Sequence, residues 1–162
     1  LQVAKLEGAR VVVAGLARDR HRLECARSLG ADAVVDVEQE NVVEVVRELS
    51  GGEGADVVYE CSGSAASLAL CWQAVRKEGT LVPLGIYGGP IETDFNQITL
   101  KELRVIGSYG YVWSSWRRAV QLLASSSVRT SELVSHEFPL DRFEEAFAVT
   151  QDGRAVKVVL LP

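Results

Sequence analysis

Short runs rich in β-branched and apolar residues recur along this chain, at 11–14, 33–35, 56–60, 80–84, 104–108, 134–138 and 156–161. Most of the gaps between them carry helical periodicity rather than a hairpin turn. Alternating strand and helix with short turns implies parallel strands joined by right-handed crossovers. Helices then cover both faces of the strands, and the expected architecture is a three-layer α/β sandwich. The run Val11-Val12-Val13-Ala14 has the continuous apolar character of a strand buried on both faces.

The helical stretches have legible ends. Leu23, Ala26 and Leu29 share one face, with Asp19 as the expected N-cap and Gly30 as the stop. Val42, Val45, Val46 and Leu49 form a second stripe, and Leu68, Cys71, Trp72 and Val75 a third behind Ser64, a good N-cap. Trp116, Ala119, Val120 and Leu123 predict another buried face, as do Phe143, Ala146 and Phe147 behind a capping-box-like pair, Asp141 and Glu144. Pro83 has no amide to donate, so the run at 80–84 is expected to be irregular or near a sheet edge there.

Composition removes several function classes. Lys and Arg number 17 against 22 Asp and Glu, a net charge of -5, where nucleic-acid binding calls for a basic surplus. No apolar run approaches the roughly 20 residues of a membrane span. Cys25, Cys61 and Cys71 are odd in number and lack C-x-x-C spacing, which suggests reduced, mostly buried thiols in a cytoplasmic protein rather than disulfides or a zinc cluster. His21 lies among charges at a helix start and His136 beside Phe138, and neither is expected to transfer protons.

In an open parallel sheet, ligands bind at the carboxyl ends of the strands. Those ends are Gly15, Asp36, Ser62-Gly63, Gly85-Ile86 and Ser108-Tyr109. Most contain glycine or a small hydroxyl residue, which lets a flat ligand lie against the backbone. The same residues also end strands for purely local reasons.

The runs Leu29-Gly30-Ala31-Asp32-Ala33-Val34-Val35-Asp36, Gly54-Ala55-Asp56-Val57-Val58-Tyr59-Glu60-Cys61-Ser62-Gly63 and Leu84-Gly85-Ile86-Tyr87-Gly88-Gly89 resemble the medium-chain zinc-dependent alcohol dehydrogenases, nearest to the sorbitol and threonine dehydrogenase branch. Lys101-Glu102-Leu103-Arg104-Val105-Ile106-Gly107-Ser108-Tyr109-Gly110 and His136-Glu137-Phe138-Pro139-Leu140 are similar to that branch as well. The resemblance implies a Rossmann-like doubly wound parallel sheet. On this reading the chain opens just after the first strand and the G-x-G-x-x-G loop, and is expected to be a cut piece of a larger enzyme. Residues 1–133 then form the dinucleotide-binding domain, and 134–162 a strand-helix-strand return towards a catalytic domain.

The resemblance also implies site residues. Gly15 stands where NAD-preferring relatives carry an Asp for the ribose hydroxyls, while Arg18 and Arg20 are suited to a 2′-phosphate; this tilts the expected cofactor slightly to NADP over NAD. Ser62 and Gly63 match the loop beside the adenosine and the nicotinamide ribose. Leu84, Gly85 and Ile86 match the segment that holds the carboxamide and backs the ring, and Ser108 and Tyr109 match the last cofactor-contacting strand end. The zinc that polarises the alcohol oxygen has its ligands in an N-terminal domain, so no catalytic or metal residue is expected here.

The first functional expectation is therefore the NAD(P)-binding portion of an alcohol or polyol dehydrogenase, homo-oligomeric through its sheet edge near 86–108. Alternatives are a zinc-free medium-chain reductase, a non-catalytic dimerisation module, or another nucleotide-fold enzyme such as a methyltransferase. Loss of a central strand would also leave the strands near Val13 and Val58 with unpaired edges.

Overall fold

The computed structural model describes residues 1–162. Two compact units emerge, one formed by Leu1–Glu40 with Val112–Pro162, the other by Asn41–Tyr111. Every strand pairing is parallel, and the strands form three ladders. The α/β class expected from the alternation is what the chain adopts.

In the first unit, helix α1 (Gln2–Leu6) precedes strand β1 (Val12–Gly15), helix α2 (Arg20–Ser28) and strand β2 (Ala33–Asp36). β1 and β2 pair from Val12 opposite Ala33 to Gly15 opposite Asp36. Leu23, Ala26 and Leu29 are buried, as their spacing predicts, and Gly30 ends the turn at φ +90°. Asp19 does not cap α2. It closes a 3-10 turn, Ala17–Asp19, and its carboxylate pairs with Arg22 at 2.8 Å.

In the second unit, helix α3 (Val42–Leu49), strand β3 (Ala55–Glu60), helix α4 (Ala65–Ala74), strand β4 (Val75–Pro83), helix α5 (Asn96–Leu100) and strand β5 (Arg104–Val105) follow in order. The sheet order is β3-β4-β5. β4 is thus central, but β5 pairs only with its Thr80 and Leu81, so Pro83 at its last position has Glu60 of β3 as its one ladder partner, as a residue without an amide proton allows. Two caps act as their residue types suggest: Asn41 accepts from the Val43 amide at 3.0 Å, and Ser64 from the Ser67 amide at 3.0 Å.

A contiguous core gathers Leu68, Cys71 and Trp72 from α4, Val75 and Leu81 from β4, and Leu103 before β5. Removing a large apolar side chain of this kind from water contributes about 1.5–3 kcal/mol. The indole Nε1 of Trp72 donates to the Thr93 hydroxyl at 2.8 Å, so burying it leaves no orphan donor. Lys101, just past α5, donates to the carbonyls of Trp72 and Val75 at 2.5 and 3.0 Å. It thereby caps the carboxyl end of α4 with a cation. Burial, with the Arg47 charge adding, holds that ammonium below its ordinary pKa.

The rest of the first unit comprises helix α6 (Trp113–Ala124), strand β6 (Val134–Pro139), helix α7 (Phe143–Gln151) and strand β7 (Lys157–Leu161). β6 pairs with β7. The expected buried face of α6 is not formed: the helix has no buried residue, and Val120 and Leu123 are 59% and 51% exposed. In α7 only Ala146 is buried, while Phe143 and Phe147 are exposed and meet edge to face. The Asp141 and Glu144 capping box is absent too, because a 3-10 turn, Leu140–Arg142, leads into α7 and puts Arg142, not Asp141, at the N-cap position. Of the cysteines, only Cys71 is buried; Cys25 is partly covered, Cys61 is exposed, and all three are free.

Candidate functional site

The local alternation of β3 creates the main feature of the second unit. Successive side chains on a strand point to opposite faces. Val57 and Tyr59 are 45% and 57% exposed, while Val58 faces inward and Glu60 is fully buried, at 0% exposure. A buried carboxylate is tolerated only where donors surround it, and here they do. Its Oε1 accepts from the Ser62 amide at 2.8 Å and the Ser62 hydroxyl at 2.6 Å. Its Oε2 accepts from the Gly63 amide at 3.0 Å and the Tyr87 hydroxyl at 3.2 Å. The Glu60 carbonyl takes the amides of Leu84 and Gly85 at 2.7 and 2.9 Å.

Burial pushes the Glu60 carboxyl pKa up, but the hydrogen bonds from Ser62 and Gly63 outweigh it and hold it below the ordinary value. The Tyr87 phenol is pushed up to about 12 by burial and by the Glu60 charge. Burial and the same charge raise the Cys71 thiol to about 11 and move Cys61 upward. The cluster at neutral pH is thus one carboxylate among neutral hydroxyls and thiols, and none of these thiols is an activated nucleophile.

Two glycines allow the strand ends to meet this closely. A Cβ on Gly85 would lie 2.1 Å from the Gly63 nitrogen and 2.6 Å from Glu60 Oε2. A Cβ on Gly63, which adopts φ +67°, would lie 2.4 Å from the Ile86 carbonyl oxygen. Of the sequence-predicted site residues, Ser62, Gly63, Leu84, Gly85 and Ile86 are brought together at the carboxyl ends of β3 and β4. Leu84 is exposed and Ile86 is 76% exposed, so an apolar surface lies beside a row of strand-end backbone. Such a surface suits a flat ring with polar substituents. β5 ends at Val105, so Ser108 and Tyr109 lie in exposed chain three and four residues beyond its end.

In the first unit, Gly15 ends β1, and a Cβ there would come within 3.1 Å of Leu23 Cδ2. The Ala17 amide donates to Glu38 Oε2 at 2.8 Å, and the Glu38 amide to Asp36 Oδ1 at 3.0 Å. Arg18 is exposed, and Arg20 pairs with Glu24 at 3.0 Å. The strand end therefore carries both charge signs. His21 has a buried Nε2 without a partner, and His136 contacts the Ser135 hydroxyl at 3.0 Å and stacks on Phe138.

No group of three or more His, Cys, Asp or Glu side chains is placed to hold a metal ion. The residues present do not fit a zinc centre. Two open hollows, of about 440 and 250 Å³, belong to the first unit; the larger is lined by residues in and just before β6 and β7, the smaller by α6, and none is a predicted site residue.

Glu60 itself is absent from the sequence-predicted site. The available signal is a carboxylate at the last position of β3, in phase with the inward Val58 and followed after Cys61 by the small residues Ser62 and Gly63.

Comparison with known proteins agrees with the resemblance read from the motifs. A family model described as zinc-binding dehydrogenase matches residues 1–125. A sorbitol dehydrogenase of Halalkalibacterium halodurans is 36% identical over 99% of the chain and 47% of its own length. An L-threonine 3-dehydrogenase of Bacillus subtilis is 33% identical over 99% of the chain and 46% of its own length. Among solved structures, an alcohol dehydrogenase from Thermus sp. ATN1 superposes with a TM-score of 0.89 at 31% identity, over 99% of this chain and 46% of the other. A 2R,3R-butanediol dehydrogenase from Bacillus subtilis gives 0.87 at 27% identity, again over 99% and 46%. The chain spans about half the length of the curated relatives it matches. With parallel α/β architecture, glycine-lined strand ends and a family match over most of its residues, this chain belongs to the zinc-binding dehydrogenase family.

Proposed function

We propose that the chain binds a nicotinamide dinucleotide and serves an alcohol or polyol dehydrogenase in which hydride passes between the alcohol and the nicotinamide. One observation carries this reading: the ends of β3 and β4 are drawn together on Glu60 and present the exposed Ile86 and Leu84 side chains beside the strand-end backbone. Leu84 and Ile86 back the ring, and the backbone around Gly85 meets the carboxamide. Ser62 and Gly63 lie along the ribose, and Ser108 and Tyr109 contact the cofactor from the last strand end.

In the first unit, Gly15 leaves room at the adenosine ribose. Arg18 and Arg20 favour a 2′-phosphate and Glu38 opposes it, so the preference for NADP over NAD is slight. Residues 134–162 are the return segment towards the part of the enzyme that supplies the alcohol and zinc sites. Self-association runs along the outer edge of β5, where Val105 and Ile106 are exposed.

Fluorescence titration of the 162-residue chain with NADH and NADPH tests the reading, with light-scattering mass measured on the same samples. Saturable binding of both, NADPH the tighter by less than about tenfold, and a dimer mass are expected. Absence of binding by either cofactor refutes the cofactor reading, and a monomer mass refutes the edge association.

A further inference from the structure

We infer that Glu60 is a positioning residue, whose carboxylate fastens the loop after β3 to the loop after β4, with Tyr87 as the second fastening. The inference rests on the cofactor reading above and deepens it by naming what holds the cofactor-facing surface in shape.

Six donors converge on this one residue. The Ser62 amide and hydroxyl, the Gly63 amide and the Tyr87 hydroxyl reach its carboxylate, and the Leu84 and Gly85 amides reach its carbonyl. Three of the carboxylate's partners belong to the first loop and one, Tyr87, to the second. A carboxylate is matched to this job because, when ionised, it only accepts. An amide side chain of the same shape would turn an NH2 group towards two of the four donors.

Strand termination alone does not call for this arrangement. A fully buried charge is expensive, and apolar packing of equal volume is often as stable or more so. What a satisfied ionic network supplies is a single fixed geometry. Here that geometry includes the approach of Gly63 to Gly85 and Ile86, which neither glycine could make with a side chain.

The network also assigns the Ser62 hydroxyl. Its proton is committed to Glu60 at 2.6 Å, and its oxygen accepts the Ser64 amide at 3.2 Å. Ser64 in turn caps α4 through the Ser67 amide. The hydroxyl is therefore part of the fastening, as are the Ser62 and Gly63 amides, so this loop offers a ligand its backbone carbonyls rather than the Ser62 side chain. A surface preorganised in this way binds without first ordering its loops.

The test compares the 162-residue chain with its Glu60→Gln, Tyr87→Phe and Val46→Ala variants. Two readouts are taken at a temperature where each is fully folded: NMR amide exchange at Ser62, Gly63, Leu84 and Gly85, and affinity for NADH and NADPH. Glu60→Gln is expected to speed exchange at Ser62 and Gly63, and to weaken cofactor binding, each by about tenfold or more. Tyr87→Phe shifts both in the same direction by about threefold. Val46→Ala, which thins packing in α3 away from the network, lowers the thermal midpoint and leaves both readouts at the parent value.

Unchanged exchange in Glu60→Gln overturns the proposal. So does unchanged affinity in Glu60→Gln, or an equal loss of affinity in Val46→Ala, since either makes the role one of general stability. Should Glu60→Gln fail to fold, Tyr87→Phe decides by the same criteria. If the parent chain binds neither cofactor, the cofactor reading fails by itself, and the exchange data still decide whether Glu60 fastens the loops.

Discussion

Helices α4 and α6 invite comparison, because both carry apolar stripes at helical spacing and only one is buried. α4 in the second unit puts Leu68, Cys71, Trp72 and Ala74 out of solvent against β4. α6 in the first unit, two residues longer, buries none of its residues. Periodicity states that a helix has a face for something. It does not state that the something is present. The sheet beneath α4 is made within its own unit, by β3, β4 and β5, whereas the ladders of the first unit contain two strands each.

The largest expected effect breaks this comparison at its strong end. Leu81, buried in the carboxyl-terminal half of β4, belongs to the core that α4 covers. Leu81→Ala is expected to cost about 2–5 kcal/mol, from lost transfer energy and the cavity left behind. Chemical denaturation checks this; a loss comparable to that of a surface site would show that α4 and β4 do not form the stabilising core.

An intermediate effect concerns the carboxylate between β3 and β4. The folded pKa of Glu60 lies below its ordinary value of 4.5, so its contribution is full above that value and fades as pH falls through the folded pKa. The groups that face it, Tyr87, Cys61 and Cys71, are shifted upward and stay neutral through this range. Thermal midpoints measured from about pH 6 down to about pH 3 should therefore fall more for the parent than for Glu60→Gln. Parallel acid profiles for the two proteins would remove Glu60 from the account.

The smallest effect lies at the weak end. Leu123→Ala on α6 is expected to change stability by no more than about 0.5 kcal/mol, as for an ordinary surface position. A loss of several times that, read by the same denaturation, would mean that α6 has a buried partner after all, such as a second copy of the chain.

Much of the architecture was readable from residue order. The strand and helix alternation predicts parallel pairing, and every ladder is parallel. Ser64 before α4 makes the side-chain cap its chemistry favours. Where the cap signals failed, local geometry or a competing partner intervened. Asp19 pairs with Arg22 instead of capping α2, and the 3-10 turn Leu140–Arg142 puts Arg142 rather than Asp141 at the N-cap position of α7. The exposed aromatic residues of α7 failed for a different reason, since burial depends on what packs opposite them.

At the candidate site, the sequence marked the glycines and small residues at the ends of β3 and β4 but passed over the carboxylate that organises them. Glu60 reads as one more charged residue until its neighbours are placed. Its six donors come from Ser62, Gly63, Leu84, Gly85 and Tyr87, up to 27 positions away in the chain. No window of sequence displays that convergence.

By itself, the order of residues determined the parallel α/β class, the placement of most helices, and which strand ends lack bulky side chains, because these follow from periodicity and backbone sterics acting over a few residues. Only the tertiary structure decided which apolar faces are covered, that Glu60 is buried and ionised, and that the loops after β3 and β4 meet. Burial and electrostatics depend on groups remote in sequence, and their magnitude is set by proximity that only folding creates.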